Sequence, residues 1–227
     1  MTKRSKRKTK KRIIAIGDVH GCANELQELL EMLQISNDDT IVFLGDLINK
    51  GPDSSRVLRI ARKLKPIYIR GNHEQRLLQY KWLEDVDFLK GNDKWTIASL
   101  NEADWEFMAK SKLYHYEKDI DTLFVHAGLL PNIHWKEQTV STFTRIQVIN
   151  SEGEACKRSE SPKSPHWSLL WKESPFVVYG HTPSSKIRRT PYSLGIDTAC
   201  VYGEYLTACV FPEKKIYQVK AHRAYTS

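Results

Sequence analysis

Five short apolar runs, rich in β-branched residues, are each followed at once by a glycine-flanked polar residue that can bind a metal ion. They lead into GDVHG at 17–21, GDLINKG at 45–51, GNHE at 71–74, HAG at 126–128 and GHT at 180–182. Apolar runs of this length predict buried strands. Because open α/β sheets bind ligands at the carboxyl ends of their strands, we expect the five strand ends to converge on one site.

The first three predicted strands, at 12–17, 40–45 and 66–71, alternate with two predicted helices. Leucines at helical spacing predict a helix over 23–34, and a capped apolar stretch predicts another over 56–64. This β-α-β-α-β order favours a parallel sheet with right-handed crossovers. We further expect a mostly helical region at 75–112, strands at 122–125 and 176–179, and short strands of a second sheet at 193–222.

The net charge of +8 lies entirely in the first twelve residues, MTKRSKRKTKKR, which hold eight Lys or Arg and no acid. Removing those eight from the 35 basic residues leaves 27, equal to the 27 acidic residues. We therefore predict a basic disordered tail at 1–12 and a single domain at 13–222. A stretch rich in Ser, Pro and Lys predicts a surface insertion around 131–166. RNA or an import receptor is a candidate partner of the tail at 3–12, and a solvated arm is the alternative.

Composition excludes several classes of protein. The chain is 41% apolar, so it is not wholly disordered, and no apolar run approaches the roughly 20 residues of a membrane-spanning helix. The four cysteines show no C-x-x-C spacing, and the tail lacks a hydrophobic secretory segment. We therefore expect reduced thiols in a cytoplasmic monomer, with the nucleus as an alternative location in a eukaryotic host.

The polar residues at the strand ends offer carboxylate, amide and imidazole donors: Asp18, His20, Asp46, Asn72, His126 and His181. This mixture favours manganese, with iron, zinc, cobalt or magnesium as alternatives. Six ligands are too many for one ion with an open position, whereas a bridging Asp46 would divide them between two ions about 3.5–4 Å apart. An isolated Asp after a strand is often only a helix N-cap, and an isolated His is often a core residue. The presence of all five glycine-flanked blocks, each at the end of a predicted strand, favours a metal site.

The five blocks resemble the calcineurin-like metallophosphoesterases, with the pattern GDxHG, GDxxxxG, GNH[ED], H and GH, over about residues 13–211. Three segments are most similar to diadenosine tetraphosphatases and their ApaH-like relatives: GDLINKGPDS at 45–54, HAG at 126–128 and IDTACVYGEYLTA at 196–208. The resemblance implies an α/β fold, a four-layer sandwich of two mixed β-sheets flanked by helices.

The resemblance also implies a role for each residue. Asp18 and His20 would hold the first ion, Asp46 would bridge both, and Asn72, His126 and His181 would hold the second. His73 would be the catalytic residue that protonates the leaving oxygen or stabilises its charge. Arg70, Lys50 and Asn49 would form the substrate-binding group. Protein phosphatases have Asp in place of Asn49 and Arg in place of Lys50, so the sequence departs from their pattern.

We therefore expect a two-metal phosphoesterase that hydrolyses phosphoric anhydrides or esters by attack of a metal-bound hydroxide. The expected substrates are nucleoside polyphosphates such as diadenosine tetraphosphate, RNA caps or polyphosphate. A protein serine/threonine phosphatase acting on phosphoproteins is the alternative, followed by a catalytically silent scaffold. Six tryptophans are candidate stacking surfaces for a nucleobase, although each is more typical of a core position.

Overall fold

The computed structural model describes residues 12–91 and 93–226. In this part of the chain, the first sheet contains β12 (Lys215–Lys220), β11 (Tyr205–Phe211), β1 (Ile13–Ile16), β2 (Thr40–Phe43) and β3 (Ile67–Tyr68), in that spatial order. Strands β1, β2 and β3 are parallel, as predicted, and β11 and β12 complete the sheet in antiparallel pairings. The N-terminal β-α-β-α-β unit therefore forms three of the five strands of a mixed sheet. The prediction that the strands at 193–222 form a second sheet is wrong for β11 and β12, because β11 pairs directly with β1.

The second sheet is also mixed. Its order is β4 (Tyr114–Glu117), β5 (Thr122–Val125), β8 (Phe176–Tyr179), β10 (Ser193–Gly195) and β9 (Arg188–Arg189). The three central strands are parallel and the two edge strands are antiparallel. A separate hairpin pairs β6 (Val148–Ile149) with β7 (Ala155–Cys156). The predicted pair of mixed sheets is confirmed.

Seven α-helices are described: α1 (Ala23–Leu33), α2 (Ser54–Lys63), α3 (Asn72–Leu83), α4 (Asp93–Ser99), α5 (Glu102–Ala109), α6 (Val140–Arg145) and α7 (Trp167–Leu170). The predicted helices at 23–34 and 56–64 are confirmed, although α2 begins two residues early. Its start is fixed by Asp53, whose carboxylate accepts a hydrogen bond from the backbone N–H of Arg56 at 2.9 Å. The predicted helical region at 75–112 contains three separate helices and begins earlier, at Asn72.

The core follows the alternation of side chains along the strands. In β1, Ile14 and Ile16 pack into the cluster beneath α1 and α2, while Ile13 and Ala15 pack into the cluster between the two sheets. Phe124 of β5 enters the same cluster from the second sheet. The residues on either side of Phe124 face a third cluster with α6 and α7. The result is four layers, helices on sheet on sheet on helices, which confirms the predicted fold class.

The segment predicted as a surface insertion, 131–166, has two different parts. Phe143, Ile146, Val148 and Ile149 are buried against the second sheet. Nearly all of 151–165 is exposed, including the Ser-, Pro- and Lys-rich stretch. The helix α6 and the strand β6 therefore belong to the fourth layer, and only the β7 end of the hairpin lies at the surface. The sequence pattern did not predict the burial of α6 and β6, because each contributes only a few buried residues.

Within residues 12–91 and 93–226, no helix combines the length and the apolar content needed to cross a bilayer.

Arg12, the last residue of the predicted basic tail, belongs to the folded domain. Its Nε donates to Asp39 Oδ1 at 2.8 Å, and the Arg12 side chain holds the pKa of Asp39 below its usual value. The backbone N–H of Ser36 donates to the same carboxylate at 2.8 Å. The rest of the tail lies outside the described residues.

This ion pair predicts a specific pH dependence of stability. Because the folded-state pKa of Asp39 is depressed, its contribution is present above about pH 4 and is lost as the pH falls through the folded-state value. We expect Asp39→Asn to lower the free energy of unfolding by about 0.5–1 kcal/mol at pH 7, a modest value because Arg12 is partly exposed. Urea denaturation at pH 7 and pH 3 measures the difference. The neighbouring exposed Asp38→Asn is the control, and an equal loss at both pH values would contradict the assignment.

Candidate metal centre and substrate cleft

The predicted strand ends converge on the carboxylate of Asp46. Its Oδ2 lies 3.5 Å from Nε2 of His20 and 3.5 Å from Nε2 of His126. Asp46 takes part in two groups of closely spaced donor atoms, one with His20 and His73 and the other with His126 and His181, and within each group the atoms lie within 4.8 Å of one another. One carboxylate thus joins two adjacent clusters, the arrangement of a bridging ligand in a two-metal site.

Three of these histidines are oriented in the way that metal ligands require. In each ring one N–H donates to a backbone carbonyl: His20 Nδ1 to Ile48 at 2.9 Å, His126 Nδ1 to Leu44 at 2.8 Å and His181 Nε2 to Arg145 at 3.2 Å. A carbonyl oxygen only accepts, so the ring nitrogen that bonds to it carries the proton. The other nitrogen of the neutral ring keeps its lone pair for an ion.

His73 has the opposite arrangement. Its Nδ1 accepts from Asn49 Nδ2 at 2.9 Å and from a guanidinium nitrogen of Arg76 at 3.2 Å. Both donors are held by the buried carboxylate of Asp93, whose oxygens lie 2.9 Å from Asn49 Nδ2 and 2.6 Å from Arg76 Nε. The proton of the neutral His73 ring therefore lies on Nε2, which faces Asp46 Oδ2 at 4.0 Å. This ring presents a donor to the site, whereas the other three present acceptors.

Two further contacts show how the donor atoms gather. Asn72 Oδ1 lies 3.1 Å from His126 Nε2, which already lacks a proton because Nδ1 is the donor in that ring. The ammonium of Lys50 donates a hydrogen bond to His20 Nε2 at 3.1 Å, which agrees with a proton on His20 Nδ1. The two acceptor atoms of Asn72 and His126, directed at one another, fit the coordination of a shared metal ion.

Burial of acidic groups gives the centre its electrostatic character. Burial raises the pKa of Asp46 to about 6 and that of Glu74 to about 7. It also raises the pKa of Asp197 to about 6 and that of Asp18 well above its usual value, where the nearby charges of Asp197 and Asp46 add to the effect. Burial lowers the pKa of His126 to about 3. Carboxylates that are unstable as isolated anions and imidazoles that stay neutral form a donor set that fits divalent cations.

Glu74 is a residue of the candidate site that sequence analysis did not single out, although it ends the GNHE block. Its carboxylate accepts from the backbone N–H groups of Asp46 at 2.9 Å, Leu47 at 2.8 Å and Gly71 at 2.9 Å. The loop after β2 is thereby fixed to the start of α3. At Gly71 a Cβ would overlap the Asp46 carboxylate, so only glycine permits this approach. Glu74 is a positioning residue for the shared ligand.

Two predicted site residues are not members of the donor clusters. The carboxylate of Asp18 accepts from the backbone N–H of His181 at 3.1 Å and lies outside both donor clusters among the described residues. The guanidinium of Arg70, predicted to bind phosphate, bonds to Ser111 Oγ at 3.0 Å and Gln75 Oε1 at 3.1 Å, and it packs over the Trp82 ring. Arg70 is not among the described residues that line the cleft over the donor clusters, and phosphate binding by Arg70 stays a prediction.

A cleft of about 750 Å³ opens over the donor clusters. The cations on its walls are Lys50, Arg76, Lys90, Arg145 and Lys157. Among the described residues, only Asp46 and Asp87 supply carboxylates to the same lining. Tyr202 and Phe88 add aromatic surface. A cleft with this excess of positive charge is suited to a long polyanion such as a polyphosphate chain.

Comparison with known proteins gives consistent relationships. The profile of the calcineurin-like phosphoesterase family matches residues 11–215. The asymmetrical bis(5'-nucleosyl)-tetraphosphatase PrpE of Oceanobacillus iheyensis is 32% identical to this chain, over 94% of this chain and 94% of the relative. The PrpE of Halalkalibacterium halodurans is 30% identical, over 93% of this chain and 95% of the relative. A crystal structure assigned as a diadenosine tetraphosphatase has a TM-score of 0.82 at 27% identity, covering 94% of this chain and 95% of its own. A metallophosphoesterase from Sphaerobacter thermophilus shares the fold, with a TM-score of 0.58 at 15% identity over 95% of this chain and 89% of its own.

The role of Glu74 predicts a loss of metal affinity when its charge is removed. Glu74→Gln places an N–H₂ group among three backbone donors, which releases the loop that carries Asp46. We expect the affinity for Mn²⁺ to fall about 10- to 100-fold, as is typical for residues that orient ligands. Isothermal titration of the full chain with Mn²⁺ measures the change without relying on activity.

The exposed Glu31→Gln is the matched control, since it makes the same chemical change away from the centre. It should leave the Mn²⁺ affinity unchanged. Wild-type affinity in Glu74→Gln, with the variant folded, would show that the carboxylate does not position the metal ligands.

Proposed function

Because the chain belongs to the calcineurin-like phosphoesterase family, and is thus a hydrolase, we propose that it cleaves dinucleoside tetraphosphates asymmetrically. The products would be a nucleoside triphosphate and a nucleoside monophosphate. The observation that carries the proposal is the Asp46 carboxylate shared by two donor clusters at the floor of a cationic cleft. The relatives named as asymmetrical tetraphosphatases support the choice of substrate.

The metal-binding side chains form two groups that share Asp46, one group for each of two ions. We propose that His20 and Asp46 hold one ion, with Asp18 recruited to it, and that Asp46, Asn72, His126 and His181 hold the other. Two divalent ions at these positions would polarise the phosphoryl oxygens and activate a water molecule. The oxygen and nitrogen donors favour manganese as the metal. Lys50, Arg76 and Arg145 would hold the remaining negative oxygens of the phosphate chain within the cleft.

His73 would act on the leaving oxygen through Nε2. The neutral ring donates a hydrogen bond from this nitrogen, because Asn49 and Arg76 occupy Nδ1. Such a donor stabilises negative charge as the P–O bond breaks. A phosphate leaving group, with a second pKa of about 6, departs as an anion near neutral pH without taking up a proton. The alkoxide leaving group of a phosphoserine would need that proton. The environment of His73 therefore favours anhydrides over alkyl esters.

The remaining expectations concern parts of the protein beyond the site. We propose that the tail at 3–12 contacts RNA, with an import receptor as the alternative, and that the seven basic residues from Lys3 to Lys11, without the Asp39-bound Arg12, supply the attraction. We also propose that the protein acts as a monomer in the cytoplasm. Deleting residues 2–11 should weaken RNA binding and reduce its dependence on salt, whereas an unchanged salt slope would remove the proposal.

A substrate panel tests the proposed reaction. The full chain with Mn²⁺ is incubated with diadenosine tetraphosphate, capped RNA, inorganic polyphosphate and a phosphoserine peptide, and the products are separated by anion-exchange chromatography. We expect the dinucleotide to give ATP and AMP in equal amounts. Asp46→Asn should lower the rate at least about 10³-fold, because one change disturbs both donor clusters.

Asp38→Asn provides the matched control, since it neutralises an exposed carboxylate and should retain the wild-type rate. Two equivalents of ADP would contradict asymmetrical cleavage. Preference for the phosphopeptide would establish the protein-phosphatase alternative instead.

A further inference from the structure

The six tryptophans have distinct environments in the structure. Trp105, Trp167 and Trp171 are buried, and Trp135 packs against the rings of Tyr114 and Tyr116. Trp82 is covered on one face by the Arg70 guanidinium, 5.6 Å from the ring centroid. Trp95 differs from these, because 73% of its surface is exposed and it lines a pocket next to the cationic cleft. An exposed indole ring beside a cleft offers a face on which a planar ligand can stack.

This second pocket has a volume of about 400 Å³ and is connected to the cleft through a shared residue. Its lining includes Lys50, Asp53, Ser54, Trp95, Thr96 and Ser99. Lys50 also lines the larger cleft, so its side chain marks the boundary between the two spaces. The hydroxyls and the carboxylate in the lining are groups that can bond to the edge of a base or to a ribose.

The helix that carries Trp95 is held firmly against the centre. Asp93, the first residue of α4, is buried and accepts from Asn49 Nδ2 at 2.9 Å and from Arg76 Nε at 2.6 Å. The same Asn49 and Arg76 donate to His73. Trp95 follows Asp93 by two residues, so the backbone that carries its side chain has a defined position relative to the proposed catalytic residue.

We propose that this pocket, the Trp95 pocket, binds one nucleobase of the substrate by stacking on the indole ring. The inference rests on the proposed function and extends it by placing one end of the dinucleotide. The phosphate chain would pass Lys50 as it leaves the cleft, and the adjoining nucleoside would then enter the Trp95 pocket. Every nucleobase has a π-face that can stack on an indole ring. Stacking in this pocket would therefore increase substrate affinity without selecting one base over another.

Kinetics on substrates with and without a base test the proposal. We expect Trp95→Ala to raise the KM for diadenosine tetraphosphate about 10-fold, as loss of one stacked base predicts. The KM for inorganic tripolyphosphate, which has no base, should stay within about twofold of the wild-type value. Trp95→Phe keeps an aromatic face and should recover most of the affinity. Trp82→Ala is the matched control, an exposed tryptophan whose removal should change neither KM.

Equilibrium binding separates this proposal from the proposed reaction. A diadenosine tetraphosphate analogue with methylene groups replacing the bridging oxygens is titrated into the Mn²⁺-loaded full chain and into Trp95→Ala. About 10-fold weaker binding to Trp95→Ala would support the Trp95 pocket even if the natural dinucleotide were not cleaved. Equal binding to both proteins, or an equal loss for tripolyphosphate, would overturn the pocket assignment even if cleavage were observed.

Discussion

The burial of the Asp46 carboxylate is the constraint on which the rest of the structure depends. An anion at this depth is unstable unless cations or donors compensate it, and burial raises its pKa to about 6. The fold supplies donors from the start of α3, where the backbone N–H of His73 bonds to Asp46 Oδ1 at 3.0 Å. It supplies metal-binding groups from the strand ends of both sheets. Stacking the two sheets face to face is what allows the loop after β5, with His126, to reach the loop after β2.

The bonding partners of each imidazole distinguish the histidines that surround this carboxylate. Backbone carbonyls accept from His20, His126 and His181, which directs an unprotonated nitrogen of each ring into the centre. In His73, Nδ1 instead accepts from the side chains of Asn49 and Arg76, so the proton of the neutral ring lies on Nε2. The bonding partners therefore distinguish three rings that direct a lone pair into the centre from one ring that directs an N–H there. Several of these residues adopt left-handed backbone conformations, including His20, Asp46 and His181, with φ values of 46°, 48° and 64°. Such conformations store strain, which persists because the surrounding bonds hold the loops.

The sequence predicted the strands and most of the converging residues because both depend on local signals, namely apolar runs ending in glycine. It could not place Arg70, because adjacency to Gly71 in sequence does not determine the direction of a long side chain. Arg76 and Asp93, which complete the environment of His73 Nδ1, were missed for a related reason. Arg76 lies one helical turn after His73, which was a usable signal, but Asp93 reaches Asn49 across 44 positions of sequence. The exposure of the Trp95 ring likewise depends on how α4 packs against the rest of the protein, which cannot be deduced from composition.

The most direct test of the account is anomalous diffraction from crystals of the full chain grown with Mn²⁺. We predict two manganese peaks about 3.5–4 Å apart, both within coordination distance of the Asp46 carboxylate. One would lie beside His20, and the other beside Asn72, His126 and His181, with His73 outside both coordination spheres. A single peak that leaves one cluster without metal, or His73 Nε2 bound directly to an ion, would contradict the account.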